Sequence, residues 1–256
     1  MRQLPENLYP LYRLYHKNLQ PLVNPASVDD SSRNKEWNTG GYKQYTHSER
    51  IESDEKPEPT DEVLDALTAR HSLSFPAAPH QISKDALFRI LACGYRVNDN
   101  GTRPVPSAGE LYPLEIYPIV LQSDDIDPGI YHYNPAEHAL EKPVEPAVGA
   151  TKPLDRFLRE NWHHLGENHN VSVMFVISGI PSRSTEKYGE RGYMFMLVEV
   201  GCLLQSLQLG TAQHGLGSRI YGGFQADQVS ALLGLADRPD EWVLMSLAVG
   251  RPQEES

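Results

Sequence analysis

The sequence predicts one domain that mixes helices with a sheet, preceded by an extension, and three observations carry that prediction. Strand-like runs follow one another in the middle of the chain, Leu114–Leu121 (LEIYPIVL), Gly129–Asn134 (GIYHYN) and a short piece around Ala139 and Leu140, with polar, Gly- and Pro-bearing turns between them. Such spacing describes a β-meander. A continuous apolar run at 171–178 (VSVMFVIS) suits a strand covered on both faces. A chain of 256 residues can bury one sizeable core, and fits one α/β domain plus an extension better than two full domains.

Residues 1–56 form the extension and linker, and residues 57–256 the compact domain. The stretch 24–41 has neither helical nor strand periodicity and is expected to wrap a surface or a partner subunit. Thr60 can cap a helix carrying Val63, Leu64 and Leu67, and a second helix follows Ser83, with Ala86, Leu87, Ile90 and Leu91 on one stripe and Gly94 near its end. Pro118 inside the first strand points to an edge or a bulge. Another helix is expected around 154–162. From Tyr193 to about His214, Tyr193, Leu197, Val200, Leu204 and Leu207 hold one face, while Phe195, Val198, Leu203 and Leu209 occupy the others. A helix apolar nearly all round is buried on nearly all sides, and a second subunit is a natural way to bury it. A strand in GLGSRIYGGF, a short helix ending at Gly234 and a last strand in WVLMSLAVGRP complete the chain.

Composition narrows the function classes. Apolar content of 39% and charged content of 22% are ordinary for a water-soluble domain, and no run approaches the roughly 18 to 20 apolar residues of a membrane span. The N-terminus lacks the pattern of a secretory signal, which places the protein in the cytoplasm. Cys93 and Cys202 are expected to be structural thiols. A net charge of −11 disfavours nucleic acid as a partner. Among ten histidines, His163 and His164 are adjacent and His132 and His138 stand six apart, so no metal site is expected. Hydrolase elbows, P-loops and dinucleotide fingerprints are missing from the sequence.

Four segments carry candidate chemistry, each with a plainer alternative. In RHSLSF, Arg70 and Ser72 could both donate to one phosphate; alternatively Arg70 is a solvated residue at a helix end. In GTRPVPSAGELYPLEIY, the turn at Ser107 has small side chains that let a planar ligand approach, with Arg103 nearby and Tyr112 able to stack, or else it is a rigid loop before a strand. In STEKYGERGY, Lys187 beside Tyr188 could stabilise phenolate and favour a general base. Adjacent helical residues point about 100° apart, so that pair cooperates only at a helix start or in a loop; the alternative is an exposed charged loop. In the tail, Gly222 and Gly223 free backbone N–H groups for a ligand and Arg251 follows the last strand where it could meet a phosphate, or the glycines only make a turn.

TRPVPSAGELYPLEIYPIV, GIYHYNPAEHAL, KYGERGYMFMLVEVGCLLQSLQLGTAQHGLGS, YGGF and the terminal VGRP, in that order, resemble the SagB-type dehydrogenases, the azoline-oxidase branch of the nitroreductase superfamily, over roughly residues 60 to 252. The resemblance implies an α+β fold with a central, mostly antiparallel sheet flanked by helices, and a homodimer holding two FMN molecules at an interface that includes the long helix. By motif position, Arg70, Ser72 and Arg251 would hold the FMN phosphate, Ser107 would line the flavin with Arg103 beside it, and Gly222 and Gly223 would offer N–H groups to the ring. Lys187 and Tyr188 fall on the pair such oxidases use for proton removal.

The implied reaction removes a proton and a hydride from a thiazoline or oxazoline on a peptide or a carrier-bound intermediate. FMN takes the hydride and dioxygen reoxidises it. Other biosynthetic enzymes are expected partners. An NAD(P)H-dependent nitroreductase-type reductase and a non-catalytic scaffold subunit of a peptide-modifying complex are the rival readings. The chain departs from the pattern at Ser74, where an arginine is expected, and at Cys202 and Ser206, where histidine and asparagine are expected.

Overall fold

The computed structural model describes residues 11–19, 65, 67–68, 70–142, 154–163, 165–166 and 169–253. The helix expected after Thr60 and the stretch 24–41 lie largely or wholly outside them. Thirteen elements are named here: α1 (Leu11–Leu19), α2 (Lys84–Tyr95), β1 (Leu114–Val120), β2 (Gly129–Ile130), β3 (His132–Asn134), β4 (Ala139–Glu141), α3 (Leu154–Asn161), β5 (Val173–Gly179), α4 (Ser182–Tyr188), α5 (Glu190–Gln213), β6 (Gly217–Tyr221), α6 (Ala226–Leu232) and β7 (Trp242–Gly250).

Five strands form one sheet in the order β2-β1-β5-β7-β6, and every pairing in it is antiparallel. β5 is buried at all seven positions, as its unbroken apolar run requires. Alternation assigns its two faces. Val173, Phe175 and Ile177 pack with Leu87, Ile90 and Leu91 of α2 and Met196, Leu203 and Leu207 of α5. Met174 and Val176 pack with Leu158 of α3, Trp162, and Val229 and Leu232 of α6. The resulting α+β architecture has helices on both faces of an antiparallel sheet.

The expected meander is only partly continuous. GIYHYN divides at Tyr131: Gly129 and Ile130 pair with β1, while His132–Asn134 pairs with β4 as a separate two-stranded sheet. Pro118 lies within β1, opposite Phe175 and beyond the two residues that pair with β2. Its carbonyl accepts from Tyr131 N–H at 2.9 Å, so its missing N–H also faces that short neighbour and takes no ladder bond from β5.

Ser83 caps α2, its hydroxyl accepting from Ala86 N–H at 3.2 Å. At Gly94 the helix meets α5 so closely that a Cβ would stand 2.8 Å from Leu203 Cδ1. α5 has the length and mean hydropathy of a membrane span, contrary to the expectation that no segment does, yet half of that window is inside the fold. Within one chain Met194 and Val198 remain exposed, at 49% and 61%. Burial on nearly all sides is therefore not achieved by a single copy. Cys93 and Cys202 are free and only half-buried.

The start of α5 is covered by α1, part of the extension. Tyr12 stacks on Tyr193 with centroids 5.6 Å apart, His16 stacks on Trp242 at 4.5 Å, and Tyr12 N–H donates to Glu190 at 2.8 Å.

Candidate active site

The loop from Arg103 to Pro113 enters β1 through a turn with unusual backbone. Gly109 has φ 65°, and Glu110 and Tyr112, which carry side chains, also have positive φ, 57° and 45°. Non-glycine residues hold that region only when their surroundings force it. At Tyr112 the forcing contacts are visible. Its N–H donates to Ser107 Oγ (2.9 Å), its hydroxyl accepts from Arg103 N–H (3.0 Å) and its carbonyl accepts from Arg183 (3.2 Å). The Arg103 guanidinium lies 4.6 Å from the Tyr112 ring centroid and 4.1 Å from that of Tyr95. Tyr112 thus stacks on this cation.

Lys187 and Tyr188 close on that turn from the other side. They are the last two residues of α4, where the chain bends at Gly189 before α5, so the pair sits at a helix end and not at a start or in a loop. The Lys187 ammonium lies 5.3 Å from the Tyr188 ring centroid, and Tyr188 meets Phe195 edge-on at 5.2 Å. A Cβ placed on Gly109 would stand 2.5 Å from Tyr188 Oη and 2.6 Å from Lys187 Nζ, so the two polar atoms are at most 5.1 Å apart, those two distances laid end to end. Residues nearly eighty positions apart in sequence therefore meet at one point, and Ser107, two residues before Gly109, belongs to the same group.

The remaining predicted residues gather along β6. Ser72 bridges to Ser218, Leu73 N–H donates to the Ser218 carbonyl at 3.0 Å, and Leu73 packs beneath Gly217 and Gly250. Arg251 follows Gly250 and bridges to Ala78. Arg70 and Arg251 are in no ion pair among the described residues, so two cations and the Ser72 hydroxyl remain available near one end of β6. Gly222 and Gly223 follow the opposite end. His163 stands against Gly223, donating its N–H to the Gly223 carbonyl at 2.9 Å, and its Nε2 is buried without a partner.

Ser107, Lys187 and Tyr188 adjoin the β1 and β5 termini, whereas Gly222 and Gly223 extend β6, two strand spacings from β5 and three from β1. At about 4.8 Å per spacing the strands themselves are about 10 to 14 Å apart.

Two buried or charged features beside the site were not anticipated from sequence. Glu199 of α5 is 2% exposed and accepts from the Tyr95 hydroxyl at 2.8 Å; the signal for it was an acid inside an otherwise apolar helix. The second is a charged cluster lining a cavity of about 430 Å³ beside α4. There Arg183 pairs with Glu115 at 2.6 Å, and His132 bridges Glu115 (3.0 Å) and Glu141 (3.1 Å).

The hydrogen bond to Glu115, supported by the one to Glu141, raises the His132 pKa above 6.5 against the effect of burial. Burial pushes Glu115 up, but its bonds to His132 and Arg183 outweigh that and leave it below 4.5. A histidine raised on folding stabilises fully below its unfolded value and loses that contribution as pH rises through the folded value. Urea unfolding of the wild type and His132→Gln should therefore differ most between about pH 4.5 and 6.5 and converge at higher pH. A difference that grows above pH 7 would contradict this.

The chain matches the nitroreductase family over residues 54–251 and belongs to that family, whose members bind flavin. It is 29% identical over 195 residues to MJ1384 of Methanocaldococcus jannaschii, a protein named for its likeness to nitroreductases, covering 76% of this chain and 91% of that one. It is 31% identical over 166 residues to the microcin B17-processing protein McbC of Escherichia coli, covering 62% of this chain and 59% of McbC. A chain in the structure of the E. coli microcin synthetase McbBCD complex with truncated pro-MccB17 bound superposes with a TM-score of 0.73 at 22% identity, over 95% of this chain and 92% of that one. A nitroreductase-family structure from Desulfovibrio desulfuricans in complex with FMN gives 0.50 at 17% identity, over 76% and 88%.

Proposed function

We propose that the chain is an FMN-dependent dehydrogenase that oxidises thiazoline or oxazoline rings to thiazoles or oxazoles on a peptide, and that it works as a homodimer. The observation that carries the reading is the convergence of Lys187 and Tyr188 on the strained turn at Gly109, because a lysine amine or a tyrosine phenolate placed there can take a ring proton. Similarity to McbC, a microcin B17-processing protein, supports a peptide substrate and partner enzymes of the same biosynthesis.

The residues fit FMN. Arg70, Ser72 and Arg251 would supply two cations and a hydroxyl for its phosphate, Gly222 and Gly223 would admit a flat ring near the backbone, and Ser107 would line the ring. Bound FMN would supply hydride acceptance, with dioxygen as its oxidant. Tyr188 or Lys187 accepts the proton from the carbon next to the one that loses hydride. The two groups extend from strands about 10 to 14 Å apart, which supports a site completed across a dimer, the partner subunit's Lys187 and Tyr188 facing this chain's Gly222 and Gly223. Exposed Met194 and Val198 on α5 support the same arrangement.

The test mixes purified protein with a thiazoline-containing peptide in air and follows loss of two hydrogens by mass spectrometry, with the released cofactor identified by chromatography. FMN and a thiazole product are expected. Rapid anaerobic bleaching of the flavin by NADPH, with no azoline turnover, would instead favour the reductase.

A further inference from the structure

One face of α4 lies on the turn before β1. Ile180 N–H donates to the Pro113 carbonyl at 2.8 Å, and Leu114 and Gly179 are partners across β1 and β5, so the chain entering β1 is tied to the chain leaving β5 just before α4 begins. From there Arg183 and Lys187, four residues apart and therefore on one side of the helix, both reach the turn. Arg183 Nη1 donates to the Tyr112 carbonyl at 3.2 Å, and Lys187 Nζ lies 2.6 Å from where a Cβ on Gly109 would stand. The same Arg183 nitrogen meets Glu115 Oε1 at 2.6 Å, while Glu115 Oε2 is held by His132 Nε2 at 3.0 Å. A terminal guanidinium nitrogen carries two hydrogens, one for each of its two acceptors here.

We propose that Arg183 is a positioning residue: held by Glu115, it clamps the carbonyl of the strained Tyr112 to α4 and so keeps Lys187 and Tyr188 against Gly109. Tyr112 has φ 45°, a conformation that persists only where the surroundings impose it. Ser107 Oγ holds its N–H and Arg183 its carbonyl, so the peptide groups on both sides of Tyr112 are fixed. The side chains of Arg183 and Glu115 are 39% and 16% exposed, and a partly exposed ion pair adds little to stability. Its contribution is direction. Without the guanidinium the Tyr112 carbonyl is free to turn, and α4 loses its contact with the turn four residues ahead of Lys187. The effect on rate rests on the reading of Lys187 and Tyr188 as the groups that take the ring proton; the effect on their placement does not.

The test compares the full-length wild type with Arg183→Met, which keeps the aliphatic stem and loses every donor, and with Arg183→Lys, which keeps a cationic nitrogen able to donate to both acceptors. Each is produced with fluorotyrosine, and the fluorine resonance of Tyr188 is assigned by its absence in Tyr188→Phe. Arg183→Met should shift that resonance and lower kcat on a thiazoline peptide by about 10- to 100-fold, with KM changed by less than about 2-fold. Its melting temperature should stay within about 4 °C of the wild type. Arg183→Lys should restore the resonance and most of kcat. On a background of Lys187→Ala with Tyr188→Phe, Arg183→Met should change kcat by less than about 2-fold, because the groups it positions are gone. An unmoved Tyr188 resonance or an undiminished kcat in Arg183→Met overturns the proposal, as do losses that multiply on that background. If Arg183→Met does not fold, Glu115→Gln takes its place, removing the charge that holds Arg183. A wild type that turns over no azoline overturns the functional reading alone, and the fluorine resonance then decides the placement by itself.

Discussion

Replacing Lys187 by alanine and Tyr188 by phenylalanine together should lower kcat on an azoline peptide by about 10²- to 10⁴-fold, the range for loss of a general base, while leaving bound FMN and stability nearly unchanged. Lys187 is exposed, so truncating it removes little packing. Phenylalanine at 188 keeps the edge-on contact with Phe195 and removes only the hydroxyl. Ser72, beside β6, and Arg251, both proposed with Arg70 to hold the FMN phosphate, are untouched. Steady-state turnover, the flavin absorption spectrum and thermal melting check the three parts separately. A double variant with full turnover would sink the assignment of proton removal to this pair; one that loses flavin would show that the pair binds cofactor instead.

Legibility of the fold from sequence followed how local its cause is. β5 was visible because seven consecutive positions are buried whatever they pair with, and α2 because its cap and its stripe lie within a dozen residues. The division of GIYHYN at Tyr131 was not, since it depends on which strands lie beside β1. In the site, motif order singled out Ser107, Lys187 and Tyr188, but no local rule says that α4 ends against Gly109. The pair lies at a helix end, a position that spacing arguments had set aside, because the long lysine side chain reaches past the 100° offset to the same turn. Glu199 could have been suspected from its place in an apolar helix, but its partner Tyr95 comes from a distant segment.

Gly109→Ala should lose most of the turnover at a small cost in stability, and a matched control separates the two effects. Gly109 has φ 65°, where an L-residue is disfavoured by about 1–2 kcal/mol. In a chain of this size that lowers the melting temperature by about 2–4 °C per kcal/mol. The added methyl would also stand 2.5 Å from Tyr188 Oη and 2.6 Å from Lys187 Nζ, far inside contact distance. Those atoms are the ends of movable side chains, so they yield, and the collision is relieved by displacing the two groups proposed to accept the proton. A displacement of about 1 Å at reacting groups reduces rates by about 10²-fold. Gly101 supplies the control, with φ 83° and nothing within 4 Å of a Cβ. Gly101→Ala therefore carries the backbone strain without the collision, and should melt as low as Gly109→Ala while keeping wild-type kcat. Equal activity in the two alanine variants would mean that the turn at Gly109 does not position Lys187 and Tyr188 for the reaction.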